Sequence, residues 1–348
     1  FTTVAVGGAA VTDISGTEAQ VNAVVSAGAT ITTATDYAST LSDADIDEDL
    51  LDDILADTTG IVTATSTGET ATVLMAALDN FASTDALTLT LAAGTEAATK
   101  LTTLDGFTTV AVGAAAITDI SGTEAQVNAV VSAGAAITTA SDYTSTLSDG
   151  DIDENLLDDI LADTTGVVTA TSTGETAAVL VTALANGDAA DALTLTLASG
   201  SSSTAANLTT LDGFTTVAVG AAGVIAINGT EAQVNAVVSA GAAITTASDY
   251  ASTLSDADVE ENLLDDILAD TTGIVTATST GATAAALVTA LARGAATDAL
   301  TLTIAAGTAT ATDLTTLDGF TTVAVGGAAV TAIVVTSRSR RLPYLRRV

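Results

Sequence analysis

Apolar and polar positions in this chain recur in one order about every 26 residues. Thr17-Glu18-Ala19-Gln20 has the capping-box pattern, in which a hydroxyl and a Gln side chain satisfy free N–H groups at a helix start. Val21, Val24 and Val25 then share a helical face, and Gly28 stands where a helix ends. Ile31-Thr32-Thr33 reads as extended chain. The same logic returns with a predicted strand over 61–67 and a helix carrying Leu74, Ala77 and Leu78. It returns again with Leu101 and Leu104 on a helix ahead of Asp105-Gly106, followed by a predicted strand over 107–112. Helices alternating with short β-branched strands predict parallel strands joined by crossover helices.

The period is also visible in the letters. LDGFTTVAVG stands at 104–113, 211–220 and 317–326, and its shortened form opens the chain, so Phe1, Phe107, Phe214 and Phe320 mark super-repeats of 106, 107 and 106 residues. Within each, Gly16, Ser42, Gly68 and Gly94 and their later equivalents divide the chain again, giving twelve helix–strand units over residues 1–333. A period of this length predicts a solenoid, because no single unit can bury its apolar face alone. The expected fold is therefore α/β, one continuous solenoid with leucine-rich-repeat-like parallel strands. A right-handed parallel β-helix is the alternative, disfavoured by the capping boxes and the LLDDIL helices. Because the first residue falls inside a repeat, a segment of a longer array is expected.

The most polar stretch offers the one candidate site. DADIDEDLLDDILADTTG at 43–60 recurs with small changes at 149–166 and 256–273. With Ile46 at the origin of a helical wheel, Leu50, Leu51, Ile54 and Leu55 share its half, and Asp45, Asp49, Asp52 and Asp53 face the other way. Ser42 with Asp45 is the expected cap pair. Asp43, Asp45, Asp47 and Asp49 also follow the D-x-D-x-D spacing of a calcium loop, which makes calcium the one candidate cofactor. Against it, the sixth position is Glu48 where an EF-hand needs Gly, and the twelfth is Ile54 where it needs Glu. The solvated face of an amphipathic helix explains these aspartates more simply. Thr63, Thr65 and Thr67, with Thr88 and Thr90, form rows of the kind that can bind ice. Other units break the rows, so the reading is the exposed face of a strand.

Composition narrows the chemistry. The chain has no His, Cys or Trp, which removes imidazole bases, thiolate nucleophiles and disulfide staples. Before residue 338 only Lys100 and Arg293 stand against 42 acidic residues. Such a body repels phosphate backbones and anionic lipid, so no nucleic-acid partner is expected. No apolar run reaches the length of a membrane span. Residues 334–348 form a basic tail with Arg338, Arg340, Arg341, Arg346 and Arg347, suited to docking on the acidic body of its own or a neighbouring copy.

The segments LTTLDGFTTVAV, ISGTEAQVNAVVSAG and DDILADTTGIVTATSTG resemble those of very large secreted repeat proteins of bacteria, notably cyanobacterial cell-surface proteins, along residues 1–333. The resemblance implies an extracellular or cell-surface location and a structural role, often with calcium, and carries over no catalytic residues. The expected function is a non-catalytic protein that assembles with copies of itself into a filament, sheath or surface layer. The alternative is an adhesin stalk or ligand-binding module with surface glycans as partners.

Overall fold

The computed structural model describes residues 4–335. The first super-repeat runs β1 (Val6–Gly8), β2 (Asp13–Gly16), α1 (Glu18–Val25), β3 (Ile31–Thr33), β4 (Ala38–Leu41), α2 (Glu48–Asp57), β5 (Val62–Glu69), α3 (Ala71–Ala77), β6 (Ala86–Leu91), β7 (Gly94–Ala97) and α4 (Ala98–Asp105). The second repeats it as β8 (Val112–Ala114), β9 (Ile117–Gly122), α5 (Glu124–Ala133), β10 (Ile137–Thr139), β11 (Thr144–Leu147), α6 (Glu154–Asp163), β12 (Val168–Glu175), α7 (Ala177–Ala183), β13 (Ala192–Leu197), β14 (Ser202–Thr204) and α8 (Ala205–Asp212). The third comprises β15 (Val219–Ala221), β16 (Ala226–Gly229), α9 (Glu231–Ala240), β17 (Ile244–Thr246), β18 (Ala251–Leu254), α10 (Glu261–Asp270), β19 (Val275–Thr280), α11 (Ala284–Ala290), β20 (Ala299–Thr303), β21 (Gly307–Thr310) and α12 (Ala311–Asp318), followed by β22 (Val330–Val334). Parallel strands alternating with helices make the chain α/β. A helix in every repeat separates it from the all-strand β-helix alternative.

The chain divides into two compact lobes, one of residues 4–172 with 183–193 and the other of 173–182 with 194–335. In the first, β2-β4-β5-β6-β8-β10 form a six-stranded parallel sheet beside a β1-β3 pair, and β7 pairs β9, which pairs β11. In the second, β14-β16-β18-β19-β20 form a five-stranded sheet, β13 pairs β15 and β15 pairs β17, and β21 pairs β22. The strands are thus shared among several sheets, where one leucine-rich-repeat-like sheet was expected. Most units carry two short strands, as β1 with β2, β3 with β4, and β6 with β7 on either side of Ala92-Ala93, and the two join different sheets, whereas VTATSTGE is one unbroken strand, β5.

Helices begin where side-chain oxygens supply caps. Thr17, Thr123 and Thr230 all close the predicted capping box with the Gln three residues on. Gly134 ends α5 at φ 53°, a conformation costly for any residue with a Cβ. The acid helix starts one turn later than Ser42 and Asp45 suggested. Asp47 is its cap, accepting from the amides of Asp49 and Leu50, because Ile46 leaves the wheel to bury itself ahead of the helix. The strand predicted over 107–112 is another correction. Residues 107–111 form a corner and β8 starts at Val112, for a reason given below.

The core lies between sheets and helices. Leu51 and Ile54 of α2, Val62 of β5, Leu87 of β6, and Leu101 and Leu104 of α4 are fully buried, each contributing about 1.5–3 kcal/mol by leaving water. Thr63, Thr67, Thr88 and Thr90 point outward as predicted, with Thr65 opposite Thr88 and Thr67 opposite Thr90.

Candidate functional site

The structure does not gather the four aspartates of the calcium reading. Asp43 accepts the amide of Glu18 at 2.5 Å, Asp45 accepts the amide of Thr67 at 2.8 Å, Asp47 caps α2, and Asp49 is exposed. Each of the first three is bound to backbone N–H groups, two of them in other repeats. Among the described residues no three acidic side chains converge on a point where a metal ion could sit.

The remaining carboxylates of the stretch follow the same habit. Glu48, Glu154 and Glu261 accept from the hydroxyls of Ser66, Ser172 and Ser279, at 2.5, 2.7 and 2.7 Å. Asp52 takes both the amide and the side chain of Asn80, and Asp265 takes the amide of Arg293 and its guanidinium at 2.6 Å. At the far end, Tyr37, Tyr143 and Tyr250, all buried, donate to Asp57, Asp163 and Asp270 at 2.9 Å. Burial, then the bond to the carboxylate, pushes these phenols well above the usual tyrosine range, so they remain donors at any physiological pH. Asp163 is exposed and can rehydrate, so Tyr143→Phe is expected to cost only about 1 kcal/mol in a urea titration.

Several side chains that join one repeat to the next are not legible in the sequence pattern. In Asp-Thr-Thr-Gly, the first Thr turns inward. Thr58, Thr164 and Thr271 donate to the carbonyls of Tyr37, Tyr143 and Tyr250 in the preceding repeat and accept from the amides of Gly60, Gly166 and Gly273. Thr108 does the same between the Leu87 carbonyl and the Val110 amide, which is why 107–111 is a corner and not a strand. Asp85, 1 % exposed, accepts the amides of Val62 and Ala82, and its own carbonyl accepts from Thr109. The Thr-Thr pairs of DTTG and of FTTV at 107–110, about twenty residues after a Tyr or a Leu-Thr-Leu run, were the available signal.

Glu18, Glu124 and Glu231 are the third element. Each opens a helix and is more than nine-tenths buried. Oε2 of Glu124 accepts the Asp153 amide and Oε2 of Glu231 the Glu260 amide, both at 2.9 Å, while Oε1 of all three has no partner. Burial pushes these carboxyls above the usual range. For Glu124 the charges of Asp153, Asp149 and Glu154 push in the same direction, against the Asp153 amide, which lowers it.

One groove on the helical side, of about 350 Å³, lies between α9 and α10 and is lined by Asn235, Ser239, Asp266 and Asp270 with two apolar residues. It holds carboxylates and a hydroxyl but no basic group to pair with them. No helix among the described residues is long and apolar enough to cross a membrane. Arg338, Arg340, Arg341, Arg346 and Arg347 lie outside the described residues. No family model, no curated protein and no solved structure matches this chain.

Proposed function

We propose that this chain is a non-catalytic structural protein, a solenoid of stacked helix–strand repeats that assembles with copies of itself into an extracellular filament, sheath or surface layer. One observation carries the reading: the polar side chains that would make a site are engaged in joining one repeat to the next. Asp43, Asp45, Asp52, Asp85, Glu48 and Thr58 each bond to a residue 18 to 28 positions away in a neighbouring repeat. What such a surface presents outward is charge, threonine and parallel strand edges. Among the described residues β22 pairs with β21 alone and leaves Ile333 and Val334 59 % and 44 % exposed, a strand that a second copy can extend. The resemblance to secreted bacterial repeat proteins points to the same location and role.

Electron microscopy and sedimentation of the purified chain test this. Ordered polymers, or a mass rising with concentration, are expected; strict monomers at every concentration, with and without calcium, would count against it. Deleting residues 337–348 is expected to weaken assembly, more at low salt than at high, because the arginines act on an acidic body through screened charge. Specific capture on a glycan array without self-association would favour the adhesin reading.

A further inference from the structure

The buried glutamates also join repeats, Glu124 through the Asp153 amide and Glu231 through the Glu260 amide, but each keeps one carboxyl oxygen without a partner, and their surroundings suit a further ligand. Glu124 sits at the start of α5 with one carboxyl oxygen bonded to the Asp153 amide and the other buried without a partner. From the α6 side, Asp149, Asp153 and Glu154 face it, and Asp149 is itself bound to the Glu124 amide at 2.5 Å. β9, which leads into α5, carries Asp119, bound to Thr144, and the neighbouring helix α4 carries Asp105 and Lys100, the latter held 3.1 Å from Glu96. Glu231 repeats the arrangement with Asp256, Glu260 and Glu261, and α8 behind it contains Asp212 and no basic residue. A second charge of the same sign in such a place is costly, because water cannot reach it and no cation neutralises it. Burial and the neighbouring charges both favour the protonated carboxyl here.

We propose that Glu124 and Glu231 are proton-binding sites that tie the packing of α5 on α6, and of α9 on α10, to acidity. Protonation makes Oε1 a donor beside Asp149 or Asp256 and removes the like-charge repulsion at each helix start. These carboxyls hold their proton more tightly when folded than unfolded, where a glutamate titrates near about 4.3. Their contribution is full below that value and is lost as pH rises through the folded-state range.

Thermal unfolding between pH 5 and 8 tests this on the full chain, E124Q/E231Q, and D159N/D266N, which removes two exposed charges from the same acid helices. The wild-type Tm is expected to fall by about 2–4 °C more over this range than that of E124Q/E231Q. D159N/D266N should keep the wild-type slope. Equal slopes for all three would overturn the proposal, as would a carbon-13 titration of the unaltered chain in which every glutamate titrates together. Calcium added at pH 8 should shift wild type and E124Q/E231Q alike. Calcium stabilising only wild type would show that the ligand is a divalent cation and would overturn the assignment to a proton.

Discussion

Gly166→Ala is expected to destabilise the protein by about 4 kcal/mol or more. An alanine Cβ at Gly166 would lie 2.3 Å from the Tyr143 carbonyl oxygen, 2.5 Å from that of Asp142 and 2.6 Å from the Tyr143 carbonyl carbon. All three atoms are backbone of the preceding repeat, so no side chain can swing away. Relief requires the corner to lift, and the corner is tied down by the Thr165 amide on the Ser141 carbonyl and by Thr164 on Tyr143. Overpacking alone costs about 1–3 kcal/mol, and each buried bond broken with it adds about 1–3. Gly60 and Gly273 meet the same atoms at 2.3 and 2.2 Å, so the effect should recur in each super-repeat. Gly150→Ala is the control: nothing lies within 4 Å of its added methyl, and a change within about 0.5 kcal/mol is expected. Urea midpoints followed by circular dichroism decide it; an unchanged midpoint for Gly166→Ala would mean that the two repeats do not approach this closely.

Removing the Asp85 carboxylate should come second. With Asp85→Ala, the amide of Val62 loses its acceptor in a place water does not reach and the amide of exposed Ala82 loses its own, an expected loss of about 2–4 kcal/mol. Asp85→Asn separates geometry from charge. Its amide oxygen can still take the Val62 N–H, but its NH2 would then face the Ala82 N–H, donor against donor, so roughly half the loss is expected. The order Ala, Asn, wild type in rising urea midpoint is the test. Asp85→Asn equal to wild type would show that one of the two bonds contributes nothing.

Sequence pattern located the helices, the capping boxes and the period because these rest on neighbours three to four residues apart. Thr17 and Gln20 could be paired on paper. Asp85 with Val62, or Thr58 with Tyr37, could not, since periodicity says that repeats stack without saying which atoms meet. The same limit explains the strand wrongly expected at 107–112. Phe-Thr-Thr-Val is a good strand by propensity, and only the Leu87 carbonyl from the previous repeat turns Thr108 inward. The acidic stretch misled in the opposite direction. Its spacing resembled a loop around an ion, whereas its carboxylates reach for amides that belong to other repeats.

The inter-repeat bonds also bear on how such a chain can change over generations. Strand partners stand 22 to 25 residues apart, as in Glu69 with Leu91, Ser39 with Val62 and Ile14 with Ser39, and later super-repeats stay within that range. The loop that must close to form each contact is therefore short and does not lengthen with the chain. Unequal recombination between two copies of the DTTG segment would delete or insert a whole super-repeat without altering the interval of any surviving pair. Length is thus free to drift in the gene while each joint in the protein stays as it was.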